Sequence, residues 1–325
     1  MTETAPRTSR TKTIGLRLAK GAVAILLLVW LFAKVPFSQV MGVLGQADWS
    51  IAMLVFLAVV LMQWLTAIRL KLLLDPHGMG MSIWRVFDIN LVTLFYGLFL
   101  PGGNVTGIAI YIARMSGLRK DHALPVGVAL LLDRVLVTFV LACVGVICWL
   151  IEWPTGQASA LALMVAGGAG LGGVLLLLIG PREAWGLGSL RRMVSRWRAH
   201  RLEVLSRTLH DQATLPRGHL CQAVLLSVVI HVIGVLAYWG LAQAIGLDVS
   251  IVTIGWVRSA IILVSMIPLT MSGLGLREGA SILILAQYPG VAQADAMGYA
   301  LLVFGVTVLA IGLLGGLLEA RRLVR

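Results

Sequence analysis

The sequence predicts an all-α, polytopic membrane protein, and its composition and its apolar runs both support this class. Hydrophobic residues make up 59% of the 325 residues and charged residues only 12%, with a mean hydropathy of +0.95. Soluble domains have about 45 to 50% apolar and about 25% charged residues. The apolar residues also form runs of about 20, the length that a helix needs to cross a bilayer. We therefore predict a single transmembrane domain over residues 1–325.

Six apolar runs are long enough to be full spans. The first follows a basic segment, residues 1–13, and because no small-residue cleavage site follows it, we predict an uncleaved first helix. The other five are separated by polar or helix-breaking residues. The predicted spans are residues 14–33, 50–68, 123–151, 158–180, 220–245 and 296–318.

Two further apolar regions, residues 83–115 and 251–288, are too long for one crossing and are interrupted in the middle. An unpaired backbone group in hydrocarbon costs several kcal/mol, so a broken helix survives only where protein buries it or where it lines a polar cavity. Each region is either two crossings or one re-entrant hairpin. Because the tips carry no charge, we predict two re-entrant helix pairs. The interruptions are Pro101-Gly102-Gly103-Asn104 and residues 268–275.

The basic residues predict the orientation. With a cytoplasmic N-terminus, most of the 26 Lys and Arg residues fall in cytoplasmic segments, including Arg69 after the second span and the long basic loop at residues 182–217. Cytoplasmic loops carry such an excess, so we predict that both termini are cytoplasmic and that the protein lies in the inner membrane of the cell. The two interrupted regions then open to opposite faces, and we hold an inverted-topology repeat as a hypothesis.

The net charge of +12 does not indicate nucleic-acid binding, because the basic residues lie in short clusters between apolar runs. The three cysteines lie in apolar segments without metal-ligand spacing, so neither a disulfide framework nor a metal site is predicted. No Walker A motif is present, and no cofactor is expected. His231, Tyr238 and Trp239 share a span and could line a path, but polar aromatic residues in a helix more often pack or lie at an interface, so no role is assigned to them.

Three arginines, Arg134, Arg258 and Arg277, lie within predicted membrane segments. A charge at a helix centre costs roughly 2.5 to 3.5 kcal/mol, so these side chains should point inward, towards acids, water or an anionic ligand. For Arg258, the alternative is a place near the membrane surface, where its side chain would snorkel. The nearby acids Asp88, Asp133 and Glu278 are candidates for a proton relay.

Two of these arginines adjoin an acid in the sequence. Asp133 with Arg134, and Arg277 with Glu278, are in one interpretation internal ion pairs that lock the fold. Neighbours in a helix do not face each other, however, so we expect each arginine to reach a partner elsewhere.

The glycine-rich interruptions suggest a second element that attracts anions. If helices restart at Asn104 and near residue 274, their N-terminal N–H groups point into the protein, with Asn104 and Ser272 as caps. Helix N-termini and arginine forks together bind phosphate. In the alternative, the glycines only allow tight helix crossings. The candidate substrate-binding residues are Arg134, Arg258, Arg277, Glu278, Asn104, Gly102, Gly103, Ser272, Gly273 and Gly275.

Three motifs carry a family resemblance: F-Y-G-L-F-L-P-G-G-N at 95–104, L-L-D-R at 131–134 and P-L-T-M-S-G-L-G-L-R-E-G at 268–279. Together they resemble the lysylphosphatidylglycerol synthase transmembrane-region family, also called flippase-like integral membrane proteins. The resemblance implies a protein that moves or presents lipids with anionic headgroups, and it places Arg134, Arg277 and Glu278 at the polar motif positions. The aminoacyl-transferring soluble domain of the synthases is not found after Arg325, so lysyl transfer by this chain alone is not expected.

We therefore predict a lipid transporter rather than an enzyme. It would flip an anionic, phosphate-containing lipid or a polyprenyl-phosphate-linked glycolipid between leaflets, and its partners would be these lipids. A second copy of the chain or an envelope-lipid enzyme is a further candidate partner. Two alternatives stay open: a non-transporting partner that presents lipid, and a membrane glycosyl- or phosphotransferase acting on a lipid-linked substrate. The transferase is disfavoured because no constellation of nucleophile and base is evident.

Overall fold

The computed structural model describes residues 37–75, 78–100, 104–117, 123–153, 158–179, 217–266 and 275–323. All regular secondary structure in these ranges is helical, which confirms the predicted all-α class. The predicted first span, the segment 1–13 and nearly all of the basic loop lie outside the described residues. The elements are α1 (Phe37–Gly45), α2 (Trp49–Leu74), α3 (Ile83–Phe99), α4 (Asn104–Ser116), α5 (Ala123–Glu152), α6 (Ala158–Ile179), α7 (Arg217–Ala244), α8 (Ile251–Ser265), α9 (Leu276–Leu285), α10 (Gln293–Phe304), a π-helical segment (Gly305–Leu309) and α11 (Ala310–Leu323).

Four helices in the described part are long and apolar enough to cross a membrane. They are α2, α5, α7 and the continuous helix formed by α10, the π segment and α11, and each coincides with a predicted full span. The predicted span 158–180 corresponds to α6, which has 22 residues. The polytopic membrane architecture is thus confirmed, whereas the number of six full spans stays a prediction.

One end of the helix bundle, which we call the Trp49 end, is defined by contacts between helix termini. The N–H of Asp48 donates to the carbonyl oxygen of Ala244 at 2.7 Å, so the start of α2 lies beside the end of α7. The carboxylate of Glu152, at the end of α5, accepts hydrogen bonds from Thr253 at 2.7 Å and from Tyr288 at 3.1 Å. The start of α8 and the end of α9 therefore also lie at the Trp49 end.

The opposite end of the bundle, the Trp84 end, is closed by two ion pairs to α11. Arg322 pairs with Asp88 near the start of α3, and Glu319 pairs with Arg114 near the end of α4. The pair α3–α4 therefore opens at the Trp84 end, whereas the pair α8–α9 opens at the Trp49 end. Exposed tryptophans, the residues enriched at membrane interfaces, lie at both ends.

Described residues next to both interruptions contact the last long helix. The helices α3, α4, α8 and α9 have 17, 13, 15 and 10 residues, each short of the roughly 20 needed to cross. An added Cβ on Gly312 would be 2.9 Å from the side chain of Leu98, beside the first interruption. At the second interruption, the guanidinium of Arg277 lies 5.0 Å from the ring centre of Phe304. Since a helix rises 1.5 Å per residue, these two contact points are about 12 Å apart along the last long helix, on either side of its π segment.

Glycines bring α11 very close to α3. An added Cβ on Gly315 would overlap the carbonyl oxygen of Leu91, and one on Gly316 would be 2.8 Å from the ring of Phe95. Small residues allow such close approach between membrane helices. The last long helix therefore holds the first helix pair along its whole second half.

Candidate functional site

Arg258 lies at the middle of the bundle. Its Nη1 is 3.4 Å from Nδ1 of His231, and its guanidinium carbon is 5.1 Å from the ring centre of Tyr238. The Nε2 of His231 is in turn 2.7 Å from the carbonyl oxygen of Val137. His231 and Val137 lie near the middle of α7 and α5, and Arg258 is only 4% exposed. The snorkelling alternative for Arg258 is therefore wrong, because helices α5, α7 and α8 enclose its side chain far from either end.

No carboxylate of the described residues pairs with Arg258. Its Nε is buried and has no hydrogen-bond partner within the described ranges. Its guanidinium carbon would be 2.8 Å from a Cβ on Gly234, so the group occupies a groove that only glycine leaves open. A buried charge without a counter-ion is unfavourable by several kcal/mol. Arg258 is therefore a buried guanidinium group near the middle of the bundle that has no carboxylate partner in the described part of the chain.

Arg277 and Glu278 lie in the first turn of α9. Gly275 precedes the helix with φ +83°, a left-handed conformation that suits glycine. Its N–H donates to Oε2 of Glu278 at 2.6 Å, so the carboxylate folds back over the helix start as in a capping box. This places Oε1 of Glu278 3.7 Å from Nε of Arg277. The N–H of Gly275, one of the amides at this N-terminus, is therefore capped by Glu278, and Arg277 makes a long ion pair with its own neighbour rather than with a distant acid.

Asp133 pairs with Arg69, not with Arg134. Its two carboxylate oxygens accept from Nε of Arg69 at 2.6 Å and from Nη2 at 3.3 Å, and Nη1 of Arg69 donates to Ser227 at 3.1 Å. All three side chains are buried. The prediction of Arg69 in a cytoplasmic loop is wrong because α2 continues to residue 74. Both oxygens of Asp133 are held, which favours a structural role over the predicted proton relay.

Arg134 points away from this buried group. It is exposed, and the structure gives its guanidinium neither a hydrogen bond nor an ion pair with any described residue. It lies three residues before Val137 on α5. The structure therefore brings Arg258 together with His231 and Tyr238, whereas the side chain of Arg134 is exposed.

Asp88 lies at the Trp84 end rather than near Arg258. Asp88 forms an ion pair with Arg322 there. At the same end, the carboxylate of Glu319 accepts hydrogen bonds from the hydroxyl of Tyr96 at 2.8 Å and from Nη1 of Arg114 at 2.9 Å. Glu319 was missed in the sequence. A signal was present, because Glu319 follows Gly312 and Gly315 by seven and four residues and so lies on the same helix face.

The remaining candidate residues lie wholly or partly outside the described part of the chain. Asn104 begins α4, but its side chain lies outside the described part. Gly102, Gly103, Ser272 and Gly273 fall in the two interruptions, between the described ranges. His231 and Tyr238, to which the sequence analysis assigned no role, are the residues that contact Arg258. A signal that could have indicated this groove is that both residues share a helix with Gly234.

The comparison with protein families identifies a match over most of the chain. A family model described as "Lysylphosphatidylglycerol synthase TM region" matches residues 17–315, which include both interrupted helix pairs and the three membrane arginines. A search of curated proteins finds no match. The chain therefore belongs to the lysylphosphatidylglycerol synthase transmembrane-region family.

Proposed function

We propose that this protein moves an anionic, phosphate-containing lipid, or a polyprenyl-phosphate-linked glycolipid, between the leaflets of the inner membrane. The observation that carries the proposal is Arg258, a buried mid-membrane cation without a carboxylate partner in the described part of the chain. Ionisable residues inside membranes usually mark substrate paths. A guanidinium binds phosphate oxygens through paired hydrogen bonds and keeps its charge when partly desolvated.

The two interrupted helix pairs support the same proposal. They open at opposite ends of the bundle, and residues next to both interruptions contact the middle part of the last long helix. Transporters built from inverted repeats bind substrate near the midplane, where their broken helices meet. In our proposal both pairs are re-entrant, both termini are cytoplasmic, and the headgroup passes Arg258 and Arg277 while the lipid chains stay in the bilayer. The chain then acts as a transporter and not as an enzyme.

Cysteine labelling tests this topology. In a background with Cys143, Cys148 and Cys221 replaced by alanine, we expect an impermeant maleimide outside the cell to label an Asp248→Cys variant. A Ser82→Cys variant should react only after permeabilisation, because the two residues lie at opposite ends. Leu100→Cys, next to the first interruption, should also resist labelling from outside. Labelling of Leu100→Cys as fast as Asp248→Cys would show two full crossings instead.

Lipid exchange in proteoliposomes tests the function. The protein should exchange a fluorescent anionic lipid faster than a zwitterionic one, measured by reduction of the dye in the outer leaflet. Arg258→Met should slow exchange of the anionic lipid about tenfold or more, because a charged hydrogen bond contributes about 1.5 to 3 kcal/mol. Its thermal stability should stay equal or rise, because the variant removes a buried charge without a partner. Arg277→Ala should also lose exchange while the protein still inserts.

Arg69→Met is the matched control for Arg258→Met, since Arg69 is equally buried but paired with Asp133. This control should lower thermal stability, in contrast to Arg258→Met. Undiminished exchange in both Arg258→Met and Arg277→Ala would contradict the proposed path. If the native protein exchanges no lipid but retains anionic lipid through Arg258 during purification, the chain presents lipid rather than moving it.

A further inference from the structure

We propose that His231 is a positioning residue: in one neutral tautomer it orients Arg258 so that the free edge of the guanidinium faces the headgroup. This inference rests on the proposed function and assigns a role to a residue outside the family motifs quoted above. It follows from three contacts of the Arg258 guanidinium and one contact of the His231 ring.

The hydrogen bonds of His231 define its tautomer. Its Nε2 is 2.7 Å from the carbonyl oxygen of Val137, which can only accept, so Nε2 carries the hydrogen. Its Nδ1 is 3.4 Å from Nη1 of Arg258, which can only donate, so Nδ1 is the acceptor. A ring protonated on both nitrogens would oppose N–H to N–H at this contact. The geometry therefore fits the neutral ring alone.

The other contacts limit how Arg258 can move. Tyr238 covers one face of the Arg258 guanidinium, and its ring centre is 5.1 Å from Cζ of Arg258. Gly234 is so close that a Cβ added to this glycine would be 2.8 Å from the same Cζ atom. With Nη1 bonded to His231, the buried Nε remains without a partner in the described part. A donor held in one orientation loses less freedom on binding. His231 thus fixes which edge of Arg258 can meet a phosphate.

The contacts of His231 also favour a role in positioning. In the neutral tautomer both ring nitrogens are engaged, Nε2 by the carbonyl oxygen of Val137 and Nδ1 by the guanidinium of Arg258. Neither nitrogen is left free to exchange a proton with a ligand. We therefore expect a role in positioning rather than in proton transfer.

Two substitutions separate these roles. His231→Gln can still donate to Val137 and accept from Arg258, but it cannot titrate; His231→Phe fills a similar volume and can do neither. We expect His231→Gln to exchange anionic lipid within about threefold of the native rate, and His231→Phe to lose about tenfold. Zwitterionic lipid should respond little to either change. The native and Gln proteins should show the same dependence on pH between about 6 and 8.

Gly234→Ala provides an independent variant, because its added Cβ would displace the guanidinium of Arg258 while His231 stays intact. Gly234→Ala should slow the exchange of anionic lipid as His231→Phe does. If His231→Phe does not fold, Gly234→Ala tests whether exchange depends on the orientation of Arg258. A native rate in folded His231→Phe, or in Gly234→Ala, would overturn the inference. So would a step in the native pH profile that His231→Gln abolishes. If Arg258→Met loses lipid exchange while His231→Phe and Gly234→Ala keep the native rate, the proposed function stands and only the positioning role of His231 is rejected.

Discussion

Replacing Gly315 with alanine is expected to disrupt the packing of α3 against α11. An added Cβ would overlap the carbonyl oxygen of Leu91 and lie 2.6 Å from its carbonyl carbon. Both are backbone atoms, which cannot rotate away as a side chain can, so the two helices must separate. Overpacking of this kind costs about 3 kcal/mol or more. We expect a marked fall in the thermal unfolding temperature of the purified protein and a loss of monodispersity.

Gly173→Ala is the matched control, because an added Cβ there meets nothing within 4 Å. This variant should be as stable as the native protein or slightly more so, since alanine restricts the unfolded chain. If Gly315→Ala unfolds at the same temperature as Gly173→Ala, the close approach of α11 to α3 is not present in the protein.

The second large effect is expected from the buried pair of Asp133 and Arg69. Asp133→Asn leaves the guanidinium of Arg69 buried with only Ser227 as a fully formed partner. Removing one member of a buried ion pair typically destabilises a protein by about 3 to 5 kcal/mol. Denaturant unfolding in detergent should show this loss for Asp133→Asn and for Arg69→Met.

The double variant Arg69→Met/Asp133→Leu should be more stable than either single variant, because it removes both charges together. This result would identify the pair as structural. The opposite pattern, in which Asp133→Asn is as stable as the native protein yet fails to exchange lipid, would instead support the predicted proton relay at Asp133.

The sequence predicted the helices and their interruptions well because these are local properties. Apolar runs report helix lengths directly, and Pro101 and Pro268 mark where helices cannot continue. The pairing of charges could not be predicted in this way. Asp133 and Arg69 are 64 residues apart, and Glu319 and Arg114 are 205 residues apart. The adjacent Arg134 was the nearest cation in the sequence, but it points to another face of the helix.

The start of α9 shows a detail that the sequence could not predict for a different reason. The position of the helix start was predicted within two residues. Whether the N–H of Gly275 is free or hydrogen-bonded, however, depends on one rotamer of Glu278. An acid in the first turn can either face outward or fold back to the cap. The sequence allowed both arrangements, and the structure has the second.

The ion pairs at the Trp84 end also impose an order on biosynthesis. Asp88 pairs with Arg322 across 234 residues, and Tyr96 and Arg114 both bond to Glu319, across 223 and 205 residues. Because the chain is made from its N-terminus, α3 and α4 enter the membrane long before these partners exist. Until α11 arrives, Asp88 and Arg114 lack their ion-pair partners and α3 lacks the surface of α11 that packs against it, a state in which membrane quality control would recognise the unpacked helices. A chain that stops before residue 310 should therefore be degraded, even though most of its helices are complete.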